Sequence, residues 1–538
     1  MADVGIFRSR LVTTCFLLAF LAGLSPFSLA QEEPDPELPE SFSQPIPLYP
    51  AALGKFSRSI SSTNPEAQAY FDQGMQLMYA FAKQDASRSF REAQKRDPNC
   101  AICYWGEAWT WGSYLNGPMR VAEAPHAFKA IQKAIELKQY ASPKERDFID
   151  ALAVRYVKDF DPEKRLDQDQ AYAEAMRSLA EKHPDDLDAV TLYGEALFLM
   201  QPRRGYRDID DPDVQKIHEI LEGILEVDIE HPGACHLYVH ATESTIRPEK
   251  AAACAEFLGN SIPGASHINH MPSHTYNEIG RWGDSVRANL QAWHSDLKAE
   301  IGEGIAIYPS HNLHMLLYSA SNDGQAAIAM QAGEDYRRLT GNNLYEILTR
   351  VRFGRWDELL EITSRSAEDI PGGMWDFAQG YARLKTGEAD LAQVYLARLK
   401  KAAASSEASF RNHPAKNLLG IVAGILEGEI HRESSDPTAA IAPLEYAVIL
   451  EDELDFDEPE ALPFSARHWL GAALLDAQRY EAAEKVFRAE LEDHPKNGWS
   501  LFGLRESLKA QSKPIEEVQK QFEDSWTRSD TWIKGPVF

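Results

Sequence analysis

Residues 64–98 read NPEAQAYFDQGMQLMYAFAKQDASRSFREAQKRDP, and this stretch decides the fold. With Ala67 as the first position of a repeat, Tyr70 falls at the fourth, Gly74 at the eighth and Ala86 at the twentieth. Phe90, Ala93 and Pro98 complete the register. Apolar residues recurring at three and four are the period of a helix with one buried face. Small residues at Gly74 and Ala86 let two antiparallel helices approach closely, and Pro98 closes the pair.

Working outward, the same register returns near the C-terminus at Gly471, Tyr480, Ala483, Phe487 and Pro495, and again at Trp499 and Gly503. Weaker copies centre on Gly194, Pro263, Gly280, Gly324, Gly354 and Gly387. The period of about 34 residues and these marker positions are those of tetratricopeptide (TPR) repeats. A single hairpin cannot bury its apolar face, so stacked hairpins make one continuous core. The expected fold is therefore all-α, a TPR-type α-solenoid of about eleven or twelve hairpins, with insertions such as 112–123 and 201–213. The expected organisation is a leader over 1–30, a flexible Pro- and Glu-rich lead-in over 31–63, the solenoid over 64–530 and a tail over 531–538.

The leader reading rests on Arg8 and Arg10, the apolar run Leu11–Leu24, and the small-x-small site Ser28-Leu29-Ala30. The run is short for a spanning helix, which needs about 20 residues. Cys15 lies inside it, whereas a lipoprotein signal would end on its cysteine. The expectation is an exported chain, periplasmic or secreted, without membrane insertion after cleavage. The full chain of 538 residues carries 55 Lys+Arg against 82 Asp+Glu, a net charge of −27. That charge repels phosphate backbones and anionic lipid, which argues against nucleic acid and general membrane-surface partners.

Nine of the sixteen histidines fall between His231 and His314. Placed in their repeats, His236 and His240 occupy the fifth and ninth positions of one repeat. His267, His270 and His274 occupy the second, fifth and ninth of the next, and His311 and His314 the second and fifth of the one after. These positions share one face of the first helix of each hairpin, the face toward the concave groove. A lone helix histidine reads as a packing residue; seven of nine groove positions on adjoining repeats read as a metal or catalytic site. Clustered imidazoles favour the neutral form, and neutral imidazole is the commonest metal ligand. Imidazole-rich sites suit zinc, copper, iron or nickel. Glu195, Glu243 and Tyr318 share the face and are expected as supporting or additional ligands. His236-x-x-x-His240 has the spacing of the zinc-protease motif, but Leu237 stands where that motif needs glutamate.

Cys235 and Cys254 lie on antiparallel partner helices, where a disulfide would brace the hairpin carrying His236 and His240. Cys100-Ala101-Ile102-Cys103 is a C-x-x-C at a helix start, but no βαβ pattern surrounds it. Trp105 and Trp109 fall on the groove face of the second repeat, as an apolar wall for a ligand or as core. The chain has no phosphate-binding glycine loop, no G-x-S-x-G nucleophile elbow and no zinc ribbon.

AYFDQGMQLMYAF, SFREAQKRDPNCAICYWGEA, ASPKERDFIDALAVRY, HLYVHATES, HINHMPSHTY, YPSHNLHMLLYSA and LGAALL resemble a large family of exported bacterial TPR-repeat proteins with a histidine-rich central segment. The resemblance covers nearly the whole chain past the leader and implies the α-solenoid and export; it implies no activity. The function expected from position counting is transition-metal binding (zinc, copper or iron) in a histidine-lined groove, with metalloenzyme activity if a coordination position stays open. The alternative is a TPR scaffold whose groove holds a protein or peptide partner without metal.

Overall fold

The computed structural model describes residues 37–202 and 205–538. The leader expected over 1–30 lies outside them. From Pro65 onward the chain is a succession of helices joined mostly by short turns, from Pro65–Tyr79 and Lys83–Arg96 to Gly498–Ala510 and Glu516–Ser525. With Ser266–His270 and Pro272–Glu278 taken as one arm broken by Pro272, they form twelve hairpins among the described residues. The exception to helix is a pair of two-residue strands, Ser409–Phe410 against His413–Pro414. No helix among the described residues is long and apolar enough to cross a membrane.

The marker residues do what their spacing requires. Asn64 caps the first helix, accepting from the backbone N–H of Glu66 and Ala67. Fully buried Phe90 wedges between neighbouring first helices, and a Cβ on Gly74 or Gly106 would stand 2.7 or 2.5 Å from its ring. Phe487 repeats the device between Gly471 and Gly503, at 2.2 and 2.3 Å. Any side chain at these glycines would push adjoining hairpins apart, so the repeat spacing is set there.

Distant repeats also touch one another, which a simple open solenoid does not do. The Trp282 indole donates to the Pro495 carbonyl and the Trp499 indole to the Ser321 carbonyl, both at 2.9 Å. Asp530 accepts from the N–H of Ala326 and Ala327 at the start of Ala326–Thr340, and Arg528 pairs with Asp323. On the other side, Arg58 pairs with Asp186 and Asp188, and the Tyr114 and Tyr308 hydroxyls meet at 2.7 Å. The concave face is therefore covered by the chain's own segments. His236, His240, His267, His270, His274 and His314, expected in an open groove, are each 0–2 % exposed.

The segments before and after the repeats are packed. Ahead of the first helix, the backbone N–H of Tyr49 and Gly54 donates to the Gln73 and Gln76 side chains, and Ile46 is buried. The Ala52 carbonyl accepts from the Gly264 N–H at 2.8 Å. At the other end the Phe538 carbonyl accepts from the Tyr381 hydroxyl, and the Phe538 ring meets Trp499. Within 31–63, Tyr49 and Gly54 are thus tied to the first helix, whose glutamine side chains bind their backbone.

Candidate metal centre

Three neighbouring first helices supply the histidines: Pro232–Thr242, the broken arm Ser266–Glu278 and Pro309–Asn322. They converge as two adjoining triads, His236 with His240 and His267, and His270 with His274 and His311. Within each triad one ligating atom per residue lies within 4.8 Å of the others. The triads adjoin along two seams, with ring centroids 5.0 Å apart for His240–His274 and 5.5 Å for His267–His270.

Hydrogen bonds to oxygen fix the tautomers, because an oxygen acceptor demands a proton on the nitrogen facing it. His236 Nδ1–H donates to the Tyr79 carbonyl at 2.6 Å. His270 Nδ1–H donates to Asn289 Oδ1 at 2.8 Å. His240 and His274 donate from Nδ1 to the two oxygens of one carboxylate, Glu243, at 2.7 and 2.5 Å. Each of these four rings, when neutral, keeps a bare Nε2 lone pair turned inward. His236 Nε2, His240 Nε2 and both nitrogens of His267 have no hydrogen-bond partner among the described residues. His270 Nε2 and His274 Nε2 lie 2.7 Å apart, within hydrogen-bond distance, so one of them carries a proton or both face a shared cation.

Burial disfavours protonation of five of the rings. Burial, reinforced by neighbouring imidazoles, pushes His236, His267, His270 and His311 well below the ordinary histidine value. Burial also lowers His240, against the pull of Glu243. Burial would raise the Glu243 carboxyl, but His274 and His240 hold it below the usual carboxylate range. Glu243 is thus an ionised clamp behind the ligating rings, the arrangement that orients imidazoles at metal centres. Tyr79 is anchored in turn by its hydroxyl, which donates to Asp188.

An aromatic lid unpredicted by the sequence reading covers the first triad. The Phe81 ring lies 4.1 Å from His236, and the Tyr308 ring lies edge-on to His267 at 5.1 Å. Both residues hold left-handed backbone, φ 60° and 56°. Phe81 stands two residues past the end of its first helix, the turn position filled elsewhere by Gly280, Gly324, Gly354 and Gly387, all at positive φ. An aromatic at a glycine position of the repeat was the signal that could have found it. Glu458 reaches the edge of the second triad from a loop far along the chain, grouping with His240, Glu243 and His274. Nothing local in its sequence marks it.

Other expected residues fall elsewhere. His314 joins neither triad: its ring stacks on Tyr345 at 4.1 Å, and its Nδ1 accepts from Tyr345 and Arg411. Glu195 sits beside Trp109, Arg155 and Lys83; burial lifts its carboxyl to about 7 although those groups pull it down. Tyr318 packs near Trp282 and His494, away from the triads. Trp105 and Trp109 are buried against Phe148 and Tyr79, so they are core, not an open wall. Cys235 and Cys254 are joined as a disulfide, tying the helix of His236 to the one after it, and Cys100 is joined to Cys103. A cavity of about 760 Å³ reaches the centre at Glu243 and His274, and Asp457, Glu458 and Glu460 also line it.

Fold and site together define an all-α, TPR-like repeat protein with a buried polyhistidine centre. No family model matches the chain, and neither does any curated protein. Among solved structures it is similar to the TPR domain of P58(IPK), at 12% identity over 86% of this chain and 99% of that one, TM-score 0.23. It is also similar to the APC/C hetero-tetramer Cut9-Hcn1, at 14% identity over 88% and 78%, TM-score 0.30. A third is yeast Tom70, at 13% identity over 87% and 93%, TM-score 0.26.

Proposed function

We propose that this chain is an exported metal-binding protein that holds a transition metal (zinc, copper or iron) among His236, His240, His267, His270, His274 and His311. The observation that carries this reading is the convergence of six histidines as two triads, one ligating atom per residue lying within 4.8 Å of the others in each. All-imidazole ligation selects these metals over calcium and magnesium, which take oxygen ligands. The cavity at His274 supplies a route for an ion or a small substrate. A three-histidine metal with an open position would activate water or dioxygen there, and that is the form a metalloenzyme reading takes. Export is supported by the leader pattern and by two disulfides, which persist in oxidising compartments.

The TPR scaffold for a protein or peptide partner is the second reading. It needs an accessible groove, and the groove positions of these three repeats are mostly buried. Elemental analysis of protein purified without a histidine tag separates the two. Bound zinc, copper or iron that disappears in His270→Ala/His274→Ala supports the metal reading. No metal above background and no affinity on titration would sink it, and a pulldown partner that survives chelator would then favour the scaffold.

A further inference from the structure

We propose that the cavity beside the histidine centre is a binding site for a small organic cation, a primary ammonium on an aromatic or apolar body, seated against Glu278 and Glu460 with the rings of Trp282 and Tyr318 beside it. This goes beyond the metal-binding reading and does not need it, because none of the residues that carry the argument is one of the six histidines. The cavity volume of about 760 Å³ falls within the range of about 300–1,000 Å³ usual for a site that takes one small molecule.

The sign of the ligand follows from the lining. Among the described residues, eleven carboxylate side chains, two arginines and no lysine line the cavity. One arginine, Arg467, is committed to Asp452 at 2.8 Å, with Asp493 and Glu451 at 3.6 and 3.8 Å. The other, Arg207, donates to the His240 carbonyl and the Ser244 hydroxyl. His494 is shared between Glu460 and Glu490, at 3.1 and 2.9 Å, one imidazole for two carboxylates. Glu278 makes no hydrogen bond or ion pair among the described residues. Glu243, Glu460 and Asp493 all repel its charge, and the shared His494 opposes them. A cleft lined so heavily by one sign of charge draws in a ligand of the other sign and repels an anion.

The body of the ligand follows from the rings. Trp282, Tyr318 and His494 stand around one corner of the lining, with ring centroids 6.1, 6.3 and 6.4 Å apart. Glu278 and Glu460 both act on the Tyr318 hydroxyl, so carboxylates and rings belong to the same corner. The Trp282 indole is fixed by its N–H bond to the Pro495 carbonyl. Trp and Tyr faces attract an ammonium within about 6 Å, which adds to the pull of the carboxylates. Tyr206 and Ile246 line the same cavity yet are 76 and 82 % exposed, so they stand where it opens to solvent. With Phe456 against Tyr206 at 5.6 Å they make an apolar rim for the rest of the molecule.

The test is a calorimetric titration of the whole protein, before and after chelator treatment, at about 0.15 M salt so that exposed charges are screened. The probe is 2-phenylethylammonium, with 2-phenylethanol and 3-phenylpropanoate as its neutral and anionic counterparts. One equivalent of the amine should bind and the counterparts should not. Glu278→Gln and Glu460→Gln should each weaken the amine about tenfold, the worth of one charge-assisted contact. Equal binding of the alcohol, or an amine affinity unchanged in both variants, would overturn the proposal. Binding that vanishes with chelator would mean that the amine ligates a metal, and would overturn it as well. A capped lysine tripeptide bound more tightly than the amine would overturn the small-molecule assignment. No binding of the amine would overturn the proposal and leave the metal reading to elemental analysis. The comparison of probes on the wild type decides the question even if a variant misfolds.

Discussion

Replacing Glu243 with glutamine tests the logic of the centre at its hinge. The carboxylate accepts from His240 and His274 at 2.7 and 2.5 Å, and each bond holds a ring in the tautomer that frees Nε2. Glutamine is nearly the same size but offers one acceptor oxygen and one N–H donor group. It can keep one ring correctly protonated; toward the other it presents a donor to a donor. That second ring is driven to the opposite tautomer, which puts a proton on the nitrogen the metal needs. Removing a supporting carboxylate of this kind costs about 10- to 100-fold in metal affinity, or about 1.4–2.8 kcal/mol. The loss should appear as metal binding weakened by that factor. Competition against a chelator of known affinity measures this, with Glu243→Asp as the control that keeps both acceptors and the charge. Metal bound by Glu243→Gln with affinity within twofold of wild type would refute the clamp, and with it the assignment of inward-facing lone pairs.

Three further outcomes are expected. The metal-free protein should be acid-labile, because His236, His240, His267, His270, His311 and His314 have folded values below the unfolded one near 6.5. The unfolded chain then binds protons the native state refuses, so this stability is complete above about pH 6.5 and is lost as pH falls, by up to about 1.4 kcal/mol per pH unit for each group. His494, raised by Glu460 and Glu490 despite burial, and Glu195, Glu278, Glu451 and Asp296, raised by burial, work in the opposite sense over the same range and offset part of this loss. Melting temperatures of chelator-treated protein should drop steeply between neutral pH and pH 5 and recover with metal; a flat profile contradicts the buried neutral cluster. Cys254→Ser should lower stability by about 3 kcal/mol under oxidising conditions and leave the reduced protein nearly unchanged, since the bridge spans 19 residues; equal melts for both proteins when oxidised would count against a formed bridge. Phe81→Gly should relieve about 1–2 kcal/mol of left-handed strain but forfeit about 3–5 kcal/mol of buried aromatic packing against His236. A net loss near 2 kcal/mol is expected in denaturant melts, and a more stable variant would show that the ring contributes nothing there.

The hairpins were readable from sequence because their determinants are local. Gly74, Phe90 and Pro98 each act within one repeat or on the next, so spacing alone carries the information. The histidine positions inherited that clarity, since repeat register dictates which face of a first helix each residue occupies. Six of the seven meet for that reason. His314 does not, because Arg411, delivered from a strand tip nearly a hundred residues later, donates to the nitrogen facing it. Glu195, placed on the same face by register, lies beside Trp109, with Arg155 and Lys83 near enough to pull its carboxyl down. Groove position specifies direction, not depth or company.

The covering of the groove is the feature that turns a repeat register into a site. In an open solenoid the same histidines would be solvated, would titrate near their ordinary value and would lose little by standing without a metal. Here the first hairpin places the Tyr79 carbonyl and the Phe81 ring over His236, and Glu458 arrives from the opposite end of the chain. Burial removes water as an alternative partner for the lone pairs and raises the cost of protonating them. A cation then becomes the one species that satisfies several of these nitrogens at once. On this argument the affinity of the centre depends on contacts far from any ligand, such as the pairing of Arg58 with Asp186 and Asp188 that holds the segment before the first hairpin against a later repeat. Opening the fold there should weaken metal binding without touching a single histidine.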